Sequence, residues 1–300
     1  MPADTALGGE GPGRLVGDWA MACSALAGLS PGRPDDPDWR LLLRRTLALH
    51  FEAFDQGVGT LTGYFEPVLR GSAAPSAGHP VPLHALPPEP GPHPPRAAIE
   101  AGALRGRGLE LVWVDDAVEA FFLHIQGSGR VLLGDGSVLR LGYAGQNGHP
   151  YFAIGRLLIQ RGEIDRAAMS MQAIQAWLRR AGPAAAADLM QANPSYIFFR
   201  RLEGLSPGDG PPGSLGVPLT PLRSAAVDVA HVPLGAPIFL AGEGVLPRLV
   251  VAQDTGGAIR GRGRADLFWG WGEAAGQSAG GMNQPARMFV LLPRQSSPPD

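Results

Sequence analysis

The sequence predicts a mainly β fold, with helices near its start and a small barrel built from its last third. Three observations point there. Beyond "QANPSYIFFRRLEG", short β-rich runs recur at 227–232, 237–240, 247–253 and 286–292 with glycine and proline turns between them, the rhythm of a small barrel. "GTLTGYFEPVLRG" (59–71) combines threonine, tyrosine and phenylalanine between bounding glycines, which is strand chemistry. Ahead of it, 15–27 and 38–54 carry apolar residues at helical spacing.

Taken in order, residues 1–13 are small and polar and are expected to be disordered. "DDPDWRLLLRRTLALHFEAF" opens on acidic residues and carries a Leu43/Leu47/Phe51/Phe54 stripe, as a helix would. Residues 71–96 contain nine prolines and predict an extended surface segment. "LELVWVDDAVEAFFLHIQGSGRVLLGDGSVLRLGYAG" reads as antiparallel strands and hairpins punctuated by "GSG" and "GDGS". "YFAIGRLLIQRG" and "MSMQAIQAWLRRAG" read as helices, the second ending at Gly182 with arginines in its last turn. No repeat of solenoid type appears.

Composition excludes several chemistries. All 25 basic residues are arginine, which removes Schiff-base lysines, a lysine-bearing phosphate loop and serine–lysine catalysis. A formal charge of −2 gives no basic field for nucleic acid. The single cysteine, Cys23, permits no internal disulfide and is expected to be a packed thiol. His79, His84 and His93 are separated by prolines in no ligand pattern, so neither a metal nor another cofactor is expected. No run approaches about 18 apolar residues and no secretory signal precedes the first helix, so the sequence reads as soluble.

"QDTGGAIRGRGRADLFWGWG" (253–272) is the densest chemical stretch. Asp266 has glycine and arginine before it and Leu267, Phe268, Trp269 and Trp271 after it. Apolar neighbours raise a carboxyl pKa, as a general acid requires, although the spacing alone favours an aspartate capping a turn beside core tryptophans. Asp254 could take part or could simply form an Asx-type turn with "TGG". Glu66 and Asp228 are further carboxylates that could complete a two-carboxylate glycosidase. In "FFLHIQGSGRV", Gln126, Ser128 and the Gly127/Gly129 backbone offer hydrogen bonds, or form an ordinary hairpin. "GQSAG" (276–280) is a weak match to a nucleophile elbow around Ser278.

Several of these segments, "GTLTGYFEPVLRGS", "AFFLHIQGSGRVLLGDGSVLRLGYAGQNGHPYFAIGRLL", "MQANPSYIFFR", "LTPLRSAAVDVAHVPLGAPIFL" and "VVAQDTGGAIRGRGRADLFWGWGEAAGQSAGGMNQPARMFVLLP", occur in this order. Together, from Arg14 to Pro293, they resemble the membrane-bound lytic murein transglycosylase A family. The resemblance implies a double-psi β-barrel with a large inserted β-rich domain, glycan being bound in the groove between the two. The division it implies is 1–67 for N-terminal helices and first barrel strand, 68–196 for the substrate-binding insert, and 197–300 for the rest of the barrel. It also implies cleavage of the MurNAc–GlcNAc bond of peptidoglycan with 1,6-anhydro ends.

By position, Asp266 corresponds to the family's single acid/base and Asp254 to a supporting carboxylate. Thr62, Tyr64, Gln126, Ser128, Gly129, Ser195 and Tyr196 fall on segments that line the glycan groove. The partners implied are glycan strands, with the protein a monomer, and the substrate implies a periplasmic location with possible outer-membrane association. A two-carboxylate hydrolase and a non-catalytic, expansin-like glycan-binding protein are the alternatives.

Overall fold

The computed structural model of the chain describes residues 2–9, 13–30, 32, 35–242 and 245–294. The protein is mainly β and divides into two compact units. The first draws on residues up to Thr62, Gly213–Phe268 and residues from Asn283 onward; the second comprises Gly63–Pro212 and Trp269–Met282.

Two helices open the first unit, α1 (Ala20–Ala27) and α2 (Pro37–His50). Asp36 starts α2 by accepting the Asp38 and Trp39 amide protons at 2.9 and 3.3 Å, with Pro37 at the first helical position. The helix stops at His50, four residues short of the expected Phe54. Phe51 begins β1 (Phe51–Glu66) and is paired with Pro293 across an antiparallel ladder, so sheet pairing overrides the helical stripe.

The other barrel strands are β8 (Ser224–Val227), β9 (Pro237–Gly242), β10 (Val245–Thr255), β11 (Ala265–Trp271) and β12 (Asn283–Pro293). They close with β1 in the order β1-β11-β8-β10-β9-β12. β10 lies parallel to β8 and antiparallel to β9. Along β12, Ala286, Met288, Val290 and Leu292 are buried at every second position, the period of a strand with one face in the core. Ala225, Ile238, Leu240, Ala252 and Leu267 are buried with them.

The second unit is a six-stranded sheet in the order β3-β4-β2-β5-β6-β7. Its strands are β2 (Val68–Ser72), β3 (Val81–His84), β4 (Glu110–Val114), β5 (Gly129–Leu133), β6 (Val138–Gln146) and β7 (Ile197–Arg201). Leu69, Leu83, Val112, Val114, Leu123, Val131, Leu141 and Phe199 form its core. The helices are the short α3 (Arg96–Ala98), α4 (Ala117–Gln126), α5 (Gly155–Gln160), α6 (Met171–Ala181), α7 (Pro183–Gln191) and α8 (Gly272–Gly280). A second core gathers Phe121 and Phe122 of α4, Leu158 of α5, Trp177 and Leu178 of α6 and Leu189 of α7.

Several expectations are corrected. Residues 117–126, read as part of a hairpin, form α4. Asp116 caps it by accepting the Val118 and Glu119 amide protons at 2.7 and 3.2 Å, and Gly127 ends it at φ 80°, a left-handed conformation that favours glycine. "GSG" is therefore a helix exit rather than a hairpin turn. The strand expected at 227–232 is β8 and ends at Val227, because Asp228 turns the chain by accepting the Ala230 amide proton at 3.1 Å. Residues 2–9, expected to be disordered, are bonded in place: the Leu7 amide donates to Arg14 O at 2.7 Å and the Gly9 amide to Val229 O, just after β8, at 2.6 Å. Cys23 is exposed on α1 rather than packed.

Candidate active site

Asp266 lies on β11, opposite Ala226 of β8, with Ala265, Leu267 and Phe268 buried around it. β1 is its other neighbour in the barrel. The close approach of β1 depends on glycine: a Cβ at Gly59 would stand 2.1 Å from the Gly263 carbonyl oxygen. Thr62 of β1 then reaches the site, its hydroxyl donating to Asp266 Oδ1 at 2.6 Å.

The electrostatics of this half-buried carboxyl are a contest. Burial disfavours the carboxylate and raises the pKa above its ordinary value. The Thr62 hydrogen bond and the Arg264 guanidinium oppose that rise, while the negative charge of Asp254 adds to it. Arg264 is held back from full engagement by its own bonds: its Nη1 donates to the Ala265 carbonyl at 2.6 Å and to the Thr60 carbonyl at 3.3 Å. The net result is a carboxyl whose pKa lies above its ordinary value, a group suited to give up and take back a proton.

Asp254 ends β10. Its Oδ1 accepts the Ser214 amide and hydroxyl protons, both at 3.0 Å, and the Thr255 amide proton at 2.9 Å. Its turn-forming and electrostatic roles thus coexist. Asp228 accepts the Gly261 amide proton at 2.7 Å and faces Arg260 at 3.7 Å. It anchors the glycine–arginine loop that leads into β11. Four contacts here were not announced by the sequence: Thr62 to Asp266, Arg264 beside it, Ser214 on Asp254, and Asp228 on Gly261.

In the second unit, Glu66 is sealed from solvent and paired with two arginines, Arg130 at 2.9 Å and Arg140 at 3.1 Å. A carboxylate so enclosed reaches no water to activate, which removes it as the partner of a two-carboxylate mechanism. Arg130 also donates to the Pro207 and Asp209 carbonyls at 2.9 and 2.8 Å and stacks 4.1 Å from the centre of the Trp271 ring. Gln126, at the end of α4, accepts the Phe65 amide proton at 3.1 Å, fixing β1 just beyond Tyr64, itself half-buried. Ser128 is half-buried and Gly129 buried; a Cβ on Gly129 would meet Leu123 at 2.3 Å.

Ser195 and Tyr196 are buried, with 6 % and 3 % of their surface exposed. The Tyr196 hydroxyl is 2.9 Å from His84 Nδ1. Ser278 lies inside α8 and donates to the Ala274 carbonyl at 3.1 Å, so it is not on the sharp strand-to-helix turn that an elbow requires. Among the described residues, no group of three or more His, Cys, Asp or Glu could hold a metal ion, and no helix is long and apolar enough to cross a membrane.

Residues 60–200 match the MltA specific insert domain and residues 223–292 match the 3D domain. The chain is 36% identical over 249 residues to membrane-bound lytic murein transglycosylase A of Vibrio cholerae, covering 79% of this chain and 66% of that protein. It is 37% identical over 241 residues to the Escherichia coli K12 protein of the same name, covering 77% and 64%. The chain thus spans a little under two thirds of the length of these curated relatives.

Among solved structures, a membrane-bound lytic murein transglycosylase from Agrobacterium tumefaciens superposes with a TM-score of 0.84 at 31% identity, over 93% of this chain and 85% of that one. E. coli MltA with bound chitohexaose gives 0.80 at 29% identity, over 93% and 84%. The lytic transglycosylase LtgG of Burkholderia pseudomallei is 43% identical over 92% and 85%, with a TM-score of 0.60. The chain belongs to the membrane-bound lytic murein transglycosylase A family.

Proposed function

We propose that the protein is a peptidoglycan lytic transglycosylase in which Asp266 is the single acid/base. The observation that carries this reading is the half-buried Asp266 carboxyl, raised in pKa by burial and by Asp254 and bonded to Thr62 at 2.6 Å. In the first step its proton passes to the glycosidic oxygen, and the bond from that oxygen to C1 of MurNAc breaks. In the second, the resulting carboxylate takes the proton of the MurNAc C6 hydroxyl as O6 bonds to C1. The 1,6-anhydro ring closes, the carboxyl is restored and no water is consumed. One group serves both steps because the nucleophile is intramolecular, so orientation replaces a second activating carboxylate.

Asp254 supports the site electrostatically. Thr62, Tyr64, Gln126, Ser128 and Gly129 are assigned to glycan binding, with Ser195 and Tyr196 shaping that region from the interior. The functional division is proposed as 1–67, 68–196 and 197–300, in outline agreement with the matches at 60–200 and 223–292; β7 and residues 269–282 nevertheless fall with the second unit rather than with the barrel. The barrel order and its parallel β8–β10 pair favour the double-psi class. The relatives' "membrane-bound" names favour a periplasmic, outer-membrane-associated setting, and glycan strands are the partner of a monomeric enzyme that uses no cofactor.

The test is clearing of purified sacculi without added metal. Asp266→Asn keeps sacculus binding and loses turnover by about a hundredfold or more, since removal of an acid/base group costs its catalytic factor of about 10²–10⁴. Full activity in that variant sinks the assignment. Binding without turnover in the unmodified protein would favour a non-catalytic glycan-binding role.

A further inference from the structure

A cavity of about 600 Å³ lies in the second unit, lined only by residues between Pro75 and Tyr196. That size falls within the range of small-molecule sites, about 300–1,000 Å³. None of the residues assigned to acid/base chemistry lines it.

Its floor is a cluster of three buried rings. His124 stands edge-on to Tyr196 with centroids 4.2 Å apart, and His84 lies 6.0 Å from Tyr196. Both histidines are at least nine-tenths buried, with 4 % and 7 % exposure for His84 and His124. Burial favours the neutral imidazoles, and the Arg96 charge reinforces this at His124.

Hydrogen-bond accounting leaves donors unspent. His124 Nδ1 accepts the Ile197 amide proton at 3.1 Å, so the neutral ring carries its proton on Nε2, which has no partner among the described residues. His84 Nδ1 pairs with the Tyr196 hydroxyl. If the hydroxyl donates, His84 Nε2–H is left over; if the imidazole donates, the Tyr196 O–H is left over. Either way the pair retains one unspent donor. Neither histidine Nε2 is among the buried side-chain atoms shut off without a partner, so open space reaches both, and the open space beside them is this cavity.

The charges around the cavity cancel. Arg96 is tied to Glu100 at 3.2 Å and donates to the Asn193 and Ser195 carbonyls. Arg105 and Glu110 complete two positive and two negative lining residues. With no uncompensated cation the site does not suit an anion. The remaining walls include Trp113, Ile99, Pro82 and Met190. Neutral donors set in apolar walls suit an uncharged carbonyl acceptor flanked by a small alkyl group.

We propose that this cavity is a second ligand site, taking a secondary amide carbonyl with its adjoining methyl or short side chain. That chemistry has two sources in a peptidoglycan chain, the N-acetyl group of an amino sugar and the amide of a short stem peptide. The inference is independent of Asp266 chemistry, because it is read at the cavity itself.

The experiment is titration of the full chain, watching the His84 and His124 imidazole resonances by NMR, with N-acetylglucosamine, with N-acetyl-alanine methylamide, and with glucose as the amide-free control. The two resonances are assigned with His84→Gln and His124→Gln. Saturable shifts at both rings with an amide probe, and none with glucose, are expected; the sugar alone or the peptide alone identifies the source. Ala117→Trp blocks the cavity at an exposed lining position without touching the core, and weakens the response by at least about tenfold, equivalent to about 1.4 kcal/mol. No shift with either amide, an equal shift with glucose, or an undiminished response in Ala117→Trp overturns the proposal.

Discussion

At the scale of single residues, two neighbours pull the Asp266 proton in opposite directions, and this makes the acid/base reading unusually testable. The acid form starts the reaction, so activity falls as pH rises through the raised carboxyl pKa. Thr62→Val removes a bond that favours the carboxylate, so the alkaline limb of the pH–rate profile moves to higher pH. Asp254→Asn removes a charge that disfavours the carboxylate, so the limb moves to lower pH. Parallel shifts, or none, in pH profiles of sacculus clearing contradict the assignment. Linkage gives a companion sign. A carboxyl raised in the folded state contributes stability at acid pH that is lost as pH climbs through the folded value, so Asp266→Asn is at least as stable as the parent at neutral pH, as thermal unfolding will read. The desolvated setting of Asp266 was legible, because the apolar run after it opens on the buried Leu267 and Phe268. Thr62 was not legible as its partner: it is 204 residues away, and only the β1–β11 adjacency brings the two together.

At the scale of elements, α4 shows what local reading missed. The pair Asp116 and Glu119 ahead of an apolar run is a helix-start pattern, but "GSG" drew the segment toward a hairpin. Asp116 supplies the cap through its bonds to two amides. Asp116→Ala therefore costs about 1 kcal/mol, measured by chemical denaturation, and an unchanged midpoint contradicts the capping role. β11 and α8 were likewise hidden, because six glycines among residues 256–272 read as loop. In the structure Gly263 lies against Gly59 of β1 and Gly272 starts α8. Strands with clean alternation, such as β12, were visible because their interior face is uniformly apolar. The end of α2 was not, since its stripe continues in sequence while the ladder with β12 claims Phe51.

At the scale of the whole molecule, the barrel closes between strands that lie at opposite ends of the described chain: β1 and β12 pair from Phe51↔Pro293 to Thr62↔Asn283. Residue pattern alone sees two separate β regions and cannot join them; the family resemblance supplied that link. The second unit has its own fixed point in Glu66, which ties β1, β5, β6 and the 207–209 segment through Arg130 and Arg140. Glu66→Gln leaves two buried guanidinium groups uncompensated and destabilises this unit by about 3–5 kcal/mol, visible as faster amide exchange in β5 and β6. Protection equal to the parent's would show that the triad is dispensable.

The product itself tests the central claim most directly. Mass analysis of sugar ends released from purified peptidoglycan should find 1,6-anhydro MurNAc termini from the unmodified protein and none from Asp266→Asn. Reducing MurNAc ends, which require a water molecule to have been added, would contradict a single carboxyl at position 266 acting twice on an internal alcohol.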